Sequence, residues 1–320
     1  MAMKHAVMVG LMGRQADRFH QYQPRRDFAE CLKLAASVRG VEGLEVVYPQ
    51  DFGGELPETV KLIRDTGLPV SAVNLNVKGD DCYGGGSFTA ADAKVRAHAV
   101  SEMKVALDLA AELGAGMITC CPLIDGHNYA FQADYLKQWA WLEEGLAAAA
   151  AHRDDVRISL EYKLNESRNY CLLGDVGKTL LLCERLGNAN FGVTMDAGHA
   201  YIARETPAES LCLAAQMDRL FYVHLNDNAR EWDWDMIPGT VNLWDLVEMM
   251  YYLDRLEWDD WVAYDVLTRN GDPVENMSVT IEIVQTARKL LDKIGREQIA
   301  GFIAEGIPAK AFSHLVRSLL

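Results

Sequence analysis

The chain has 320 residues, half of them hydrophobic, with 46 acidic against 31 basic side chains and a formal net charge of −15. That balance argues against a nucleic-acid partner, which needs basic side chains to displace counterions from phosphates, and favours a neutral or cationic small molecule. No apolar stretch is long enough to span a bilayer and the N-terminus carries no signal-peptide pattern, so neither a membrane nor an export route is expected.

Strand character begins at "HAVMVG" (5–10), "LEVVYP" (44–49), "VSAVNLNV" (70–77) and "GMITCCP" (116–122). It returns at 157–163, 190–198, 220–227 and 261–267. These runs are short, rich in β-branched residues and closed by Gly, Pro, Asn or Asp, as buried parallel strands are. Between them lie segments of helical period, from "RRDFAECLKLAASV" to "NMSVTIEIVQTARKLLDKIG", several opened by Thr, Asp or Pro and closed by Gly. Eight strand–helix units in alternation predict an α/β chain folded as a (β/α)8 TIM barrel over residues 1–294. A doubly wound sheet is the alternative, but "VGLMGRQ" lacks the full Gly-rich dinucleotide turn. Residues 295–320 read as a C-terminal helical extension, packed on the barrel or on a neighbouring subunit. The glycine cluster "GDDCYGGGSFTAAD" (79–92) follows the third strand and reads as a mobile lid. The seven cysteines, an odd number, lie mostly in apolar runs, which suits reduced thiols in a cytoplasmic protein. Cys120 and Cys121 point to opposite faces of one strand and read as core residues.

The strand ends carry the chemistry. "RISLEYK" ends near Glu161, "FGVTMDAGH" at Asp196, "FYVHLND" at His224 and "WVAYDVLTR" at Asp265. In a barrel these are the ends of strands five to eight, which converge on one mouth. Three carboxylates and an imidazole at that spacing call for a cation, and the mixed oxygen and nitrogen set suits Mn²⁺, with Mg²⁺, Co²⁺, Fe²⁺ or Zn²⁺ as alternatives. Asp125, His127 and Tyr129 follow strand four in "CPLIDGHNYAFQADY", where His127 reads as a general base because imidazole titrates near neutral pH. Trp232 and Trp234, in "NDNAREWDWDM", read as platforms for a sugar ring. Lys163 reads as a partner for substrate oxygen or for a carboxylate, and Asn74 and Asn76 read as donors to substrate hydroxyls.

"SLEYK", "TMDAGHAY", "VHLNDN" and the acid of the eighth strand resemble the xylose isomerase-like TIM-barrel superfamily of sugar isomerases and epimerases. The resemblance spans nearly the whole chain. It implies that Glu161, Asp196, His224 and Asp265 ligate the metal, and that His199 meets substrate oxygen or a second metal. Asp265 stands where many epimerases of this group carry a basic Glu. "GRQADRFHQYQP" (13–24), "CCPLIDG" and "NDNAREWDWD" are also similar to the catalytic α-type subunits of C-glycoside deglycosidases. The implied chemistry is common to both. The metal polarises a carbonyl and stabilises an enediolate, while Glu161, Asp265 or His127 moves the proton of the adjacent carbon. Reprotonation makes a sugar isomerase or epimerase; loss of a β substituent makes a lyase on 3-keto-glycosides. A DNA-repair phosphodiesterase and a non-catalytic partner subunit are the rivals from other classes. The sequence leaves open a homo-oligomer or a second small subunit.

Overall fold

The computed structural model describes residues 3–13, 16 and 19–319. The apolar runs form β1 (Lys4–Met8), β2 (Gly43–Tyr48), β3 (Val70–Leu75), β4 (Met117–Cys120), β5 (Arg157–Glu161), β6 (Phe191–Asp196), β7 (Leu220–His224) and β8 (Trp261–Tyr264). All are parallel, each pairs with its sequence neighbours, and β8 returns to β1 with Trp261 opposite Lys4. The sheet is a closed (β/α)8 barrel, and that last pairing excludes the open doubly wound alternative.

Helices α1 (Phe28–Ala36), α2 (Leu56–Asp65), α3 (Ala93–Leu113), α4 (Tyr135–Ala150), α5 (Val176–Leu186), α6 (Ala197–Ile202), α7 (Pro207–Gln216), α8 (Leu243–Arg255) and α9 (Pro273–Ile294) surround it. Side chains of Asp27, Asp92, Asp134, Asp175 and Asp272 accept backbone N–H groups at five of the helix starts, satisfying donors that have no partner inside the helix. Two further helices, α10 (Arg296–Glu305) and α11 (Pro308–Leu319), fold back on α8 and α9. Phe312 meets Trp244 edge-on at 6.0 Å, and a ring nitrogen of His314 lies 2.9 Å from the Ile294 carbonyl. No helix among the described residues is long and apolar enough to cross a membrane.

The floor of the barrel is closed by aromatic rings over glycines. A Cβ on Gly43 would lie 2.5 Å from the Trp261 ring, and one on Gly192 would lie 2.4 Å from the Phe221 ring. Above the floor, Tyr222 reaches Ser71 and Ser159 reaches Thr194, both at 2.7 Å and both buried. Because strand side chains alternate, Gly43 and Glu45, Thr194 and Asp196, and Trp261, Ala263 and Asp265 fall on the same side of their strands. The interior therefore passes from packed rings at the floor to ionisable groups at the mouth.

The glycine-rich segment after β3 differs from the expected lid. Asp81–Tyr83 form a 3-10 turn capped by Asp80, and Ser87 to Ala90 are buried. Asp125 holds them: its carboxylate accepts from the backbone of Ser87, Phe88 and Thr89 at 2.9, 3.3 and 2.8 Å, and from both hydroxyls. Five buried donors on one acid anchor this part of the loop to the segment after β4.

Candidate active site

Register builds the site. His224 lies opposite Asp196 on β6, and Glu161 lies opposite Thr194, two residues below Asp196 on the same face. Glu161, Asp196 and His224 are buried and offer ligand atoms that all lie within 4.8 Å of one another. His224 Nδ1 is 3.4 Å from Glu161 Oε1 and 3.7 Å from Asp196 Oδ2. Its Nε2 is 3.0 Å from Glu45 Oε2, and Glu45 also accepts from Asn74 at 2.9 Å and Thr119 at 3.2 Å.

His199 approaches from the first turn of α6, where its backbone N–H donates to Asp196 Oδ1 at 2.8 Å. Its Nδ1 is 3.2 Å from the same Glu161 Oε1, and its Nε2 is 3.1 Å from Asp233 Oδ2. Asn226 donates to both Asp196 oxygens at 3.2 and 3.1 Å.

Each imidazole is thus tied to an acid through Nε2, which points Nδ1 toward Glu161 and Asp196. Both Nδ1 atoms are buried without a hydrogen-bond partner. The charges agree with this arrangement. Burial, and then the neighbouring Asp196, push the Asp265 carboxyl up to about 7; burial also raises Asp196. Burial works against the charge on Glu161, but the imidazoles of His224 and His199 hold its carboxyl down at about 2. Burial likewise opposes the imidazolium of His224, yet Glu45 and Glu161 raise it well above the ordinary value. His199 is raised to about 9 by Asp196, Asp233 and Glu161 despite its burial. Crowded acids are here compensated by protons on the imidazoles, and a divalent cation in the same space would take over that role. Glu161, Asp196 and His224 fit such an ion.

The remaining expected site residues divide. Asp265 stands one residue past β8, within the field of Asp196, His224 and Glu161, but outside the three-residue group whose ligand atoms share 4.8 Å. Lys163 is locked between Asp233, at 3.0 Å, and Glu166. Asn76 lies beyond β3, and its Oδ1 accepts from the backbone of Lys78 and Gly79 at 3.0 and 2.9 Å, closing a turn. Asp125 is fully buried with both oxygens taken by the loop it anchors, so it does not reach toward substrate. His127 lies on a short strand (Gly126–His127) paired antiparallel with Asn169–Cys171. Its ring packs on Tyr135 at 5.0 Å and its Nδ1 is buried without a partner; it is not one of the grouped potential metal ligands. Trp234 is 46% exposed, Trp232 is half-buried, and Asp233 lies between them.

Three residues escaped the sequence reading. Glu45 was findable, as a lone carboxylate inside the apolar run "LEVVYP". Asp233 and Asp235 stand in "EWDWD", but only the loop conformation turns them to the site. Cys121, read as core, groups with Glu161 and His199 within 4.8 Å; burial pushes its thiol well up, which keeps it protonated. Of the segment 13–24, Arg14, Gln15, Asp17 and Arg18 lie outside the described residues.

A parallel barrel with acids and imidazoles joined at the carboxyl ends of its strands defines a class of site, the open mouth where this fold carries chemistry. The chain belongs to the xylose isomerase-like TIM barrel family, which its residues 32–291 match. It is 31% identical over 201 residues to the xylose isomerase of Thermus thermophilus, covering 61% of this chain and 52% of that protein. The xylose isomerase of Thermus caldophilus is 30% identical over 189 residues, 57% and 49% of the two chains. The chain thus spans about half the length of the curated relatives it matches. Among solved structures, the Escherichia coli 3-keto-D-glucoside 4-epimerase superposes with a TM-score of 0.68 at 17% identity, over 89% of this chain and all of that one. A D-allulose 3-epimerase from Methylomonas sp. gives 0.71 at 15% identity, over 89% and 97% of the chains. An L-ribulose 3-epimerase gives 0.70 at 17% identity, over 94% and 98%. These three share the fold.

Proposed function

We propose that the protein is a divalent metal-dependent sugar isomerase or epimerase that moves a proton next to a carbonyl. The observation that carries this reading is the pair of imidazoles, each tethered at Nε2 by an acid and each directing an unpartnered Nδ1 at Glu161 and Asp196. The names of the relatives supply the substrate class. A bound Mn²⁺ held by Glu161, Asp196 and His224 would supply the positive charge that polarises the carbonyl as the neighbouring carbon loses its proton.

The chain's own groups do the rest. Glu161 and Asp265 take the proton from carbon and return it; Asp265, pushed up to about 7, is poised to do either near neutral pH. His199, held by Asp233, orients a substrate hydroxyl. Lys163 neutralises Asp233 and so keeps that acid in place behind His199. Trp232 and Trp234 flank the entry and offer apolar faces to a ring.

A second reading keeps the same site and changes the outcome: β-elimination from a 3-keto-glycoside. The buried, unpartnered Nδ1 of His127 on the neighbouring loop favours it, as does the name of the 3-keto-D-glucoside epimerase with the same fold. The proton would then pass to His127, and the electron pair of the broken C–H bond would expel the β substituent.

The test is turnover of D-xylose, D-allulose and a 3-keto-glucoside by chelated enzyme with and without Mn²⁺. Metal-restored interconversion of a free sugar supports the first reading, and release of an aglycone supports the second. Undiminished turnover after complete chelation contradicts both. If elimination operates, His127→Ala lowers turnover by about 10²–10⁴-fold with metal content unchanged. Near-wild-type turnover in that variant would remove His127 as a base.

A further inference from the structure

A second group of potential ligands lies on the connection between β3 and α3. Asp80, Cys82 and His98 offer a carboxylate oxygen, a thiol sulfur and a ring nitrogen, all within 4.8 Å of one another and all exposed. None of the three belongs to the group of Glu161, Asp196 and His224. Asp80 caps the 3-10 turn by accepting from Cys82 N–H at 2.8 Å, and His98 lies on the facing turn of α3. Glu102, one helical turn further on, places Oε1 4.0 Å from His98 Nδ1.

The surroundings are ordered. Tyr83 stacks on the His98 ring at 5.7 Å with 11° between the planes. Tyr83 is 2% exposed, and its buried hydroxyl has no hydrogen-bond partner. Burial makes this phenol a weaker acid, and the charges of Cys82, Glu102 and Asp80 act in the same direction. The segment that follows is fixed by Asp125, so the turn bearing Cys82 is held at its far side.

We propose that Asp80, Cys82 and His98, with Glu102 in the fourth position, form a Zn²⁺ site that ties the turn after β3 to α3. Ligands around tetrahedral zinc lie about 3.3–3.7 Å apart, from bond lengths of about 2.0–2.3 Å, so Asp80, Cys82 and His98, within 4.8 Å of one another, need to draw in only slightly, and Glu102 approaches the set from the His98 side, 4.0 Å from Nδ1. A thiolate and an imidazole select Zn²⁺ or Co²⁺ over Mn²⁺ and Mg²⁺, whereas the oxygen-rich mouth accepts the harder ions. The two sites would therefore sort metals by ligand chemistry.

Titration of reduced, metal-free protein with Co²⁺ reads this site directly, through the thiolate-to-cobalt charge-transfer band. One equivalent of the band is expected, bleached by stoichiometric Zn²⁺ and untouched by excess Mn²⁺. Cys82→Ser should abolish it, and His98→Asn or Asp80→Asn should weaken cobalt binding by at least about tenfold. Glu161→Gln should leave it intact, which separates this site from the mouth. Absence of the band in the wild type, its survival in Cys82→Ser, or bleaching by Mn²⁺ would overturn the proposal.

Discussion

Glu45 need not meet the sugar to matter, because it sets the tautomer of His224 by accepting from Nε2. Glu45→Gln should lower Mn²⁺ affinity by about 10–100-fold while the barrel still folds, as measured by calorimetric titration. An unchanged affinity would mean that His224 is oriented by something else. Protons compete for the same nitrogens. Since Glu45 and Glu161 raise His224 against the opposing effect of burial, its Nδ1 stays protonated above the ordinary imidazole range. Metal affinity should therefore keep rising with pH beyond 7 instead of levelling near 6.5. A dissociation constant that is flat from pH 6.5 to 9 would contradict the imidazole ligand.

Asp125 makes the corresponding case for the elements, since one buried acid holds the segment after β3 to the segment after β4. Asp125→Ala would leave several buried donors unsatisfied and should cost about 3 kcal/mol or more in chemical denaturation. Faster amide exchange should be confined to residues 84–92, and uniform protection there would show that the loop is held by other contacts. The eight strands were legible because buried parallel strands leave short apolar runs between helical periods. Glu161, Asp196 and His224 were legible because a strand end is fixed by its own alternation. His127, Asp125 and Lys163 read from the sequence as groups that serve the substrate, but the partners of all three are set by loops. The acceptance of the Ser87–Thr89 donors by Asp125 spans 36 to 38 residues and leaves no periodic signal. The same holds for Asp233, whose alternation with tryptophan says nothing about which side faces His199.

At the scale of the whole molecule, the crowded mouth makes stability depend on pH and on metal. His199, raised to about 9, contributes stability that is fully present below its unfolded value near 6.5 and is lost as pH rises through 9. Asp265, raised to about 7, favours its protonated form, so folding also weakens as pH climbs from about 4 through 7. Metal-free protein should therefore melt at progressively lower temperature from pH 5 to 9, and bound Mn²⁺ should flatten that slope. A melting temperature that rises over this range in the metal-free form would reverse the assigned charges. The extension presents a separate test: truncation after Ile294 removes the cover over Trp244 and should lower the melting temperature yet leave the barrel folded. Loss of all cooperative unfolding would make α10 and α11 part of the barrel's own core.

The central claim is that Glu161, Asp196 and His224 hold one divalent metal at the mouth. Its most direct test is the Mn²⁺ stoichiometry of metal-free protein by electron paramagnetic resonance, with Glu161→Gln, Asp196→Asn and His224→Ala in parallel. One tightly bound ion is expected in the wild type and none in each variant, with the circular dichroism of the barrel retained. Stoichiometric Mn²⁺ in all three variants, or none in the wild type, would contradict it.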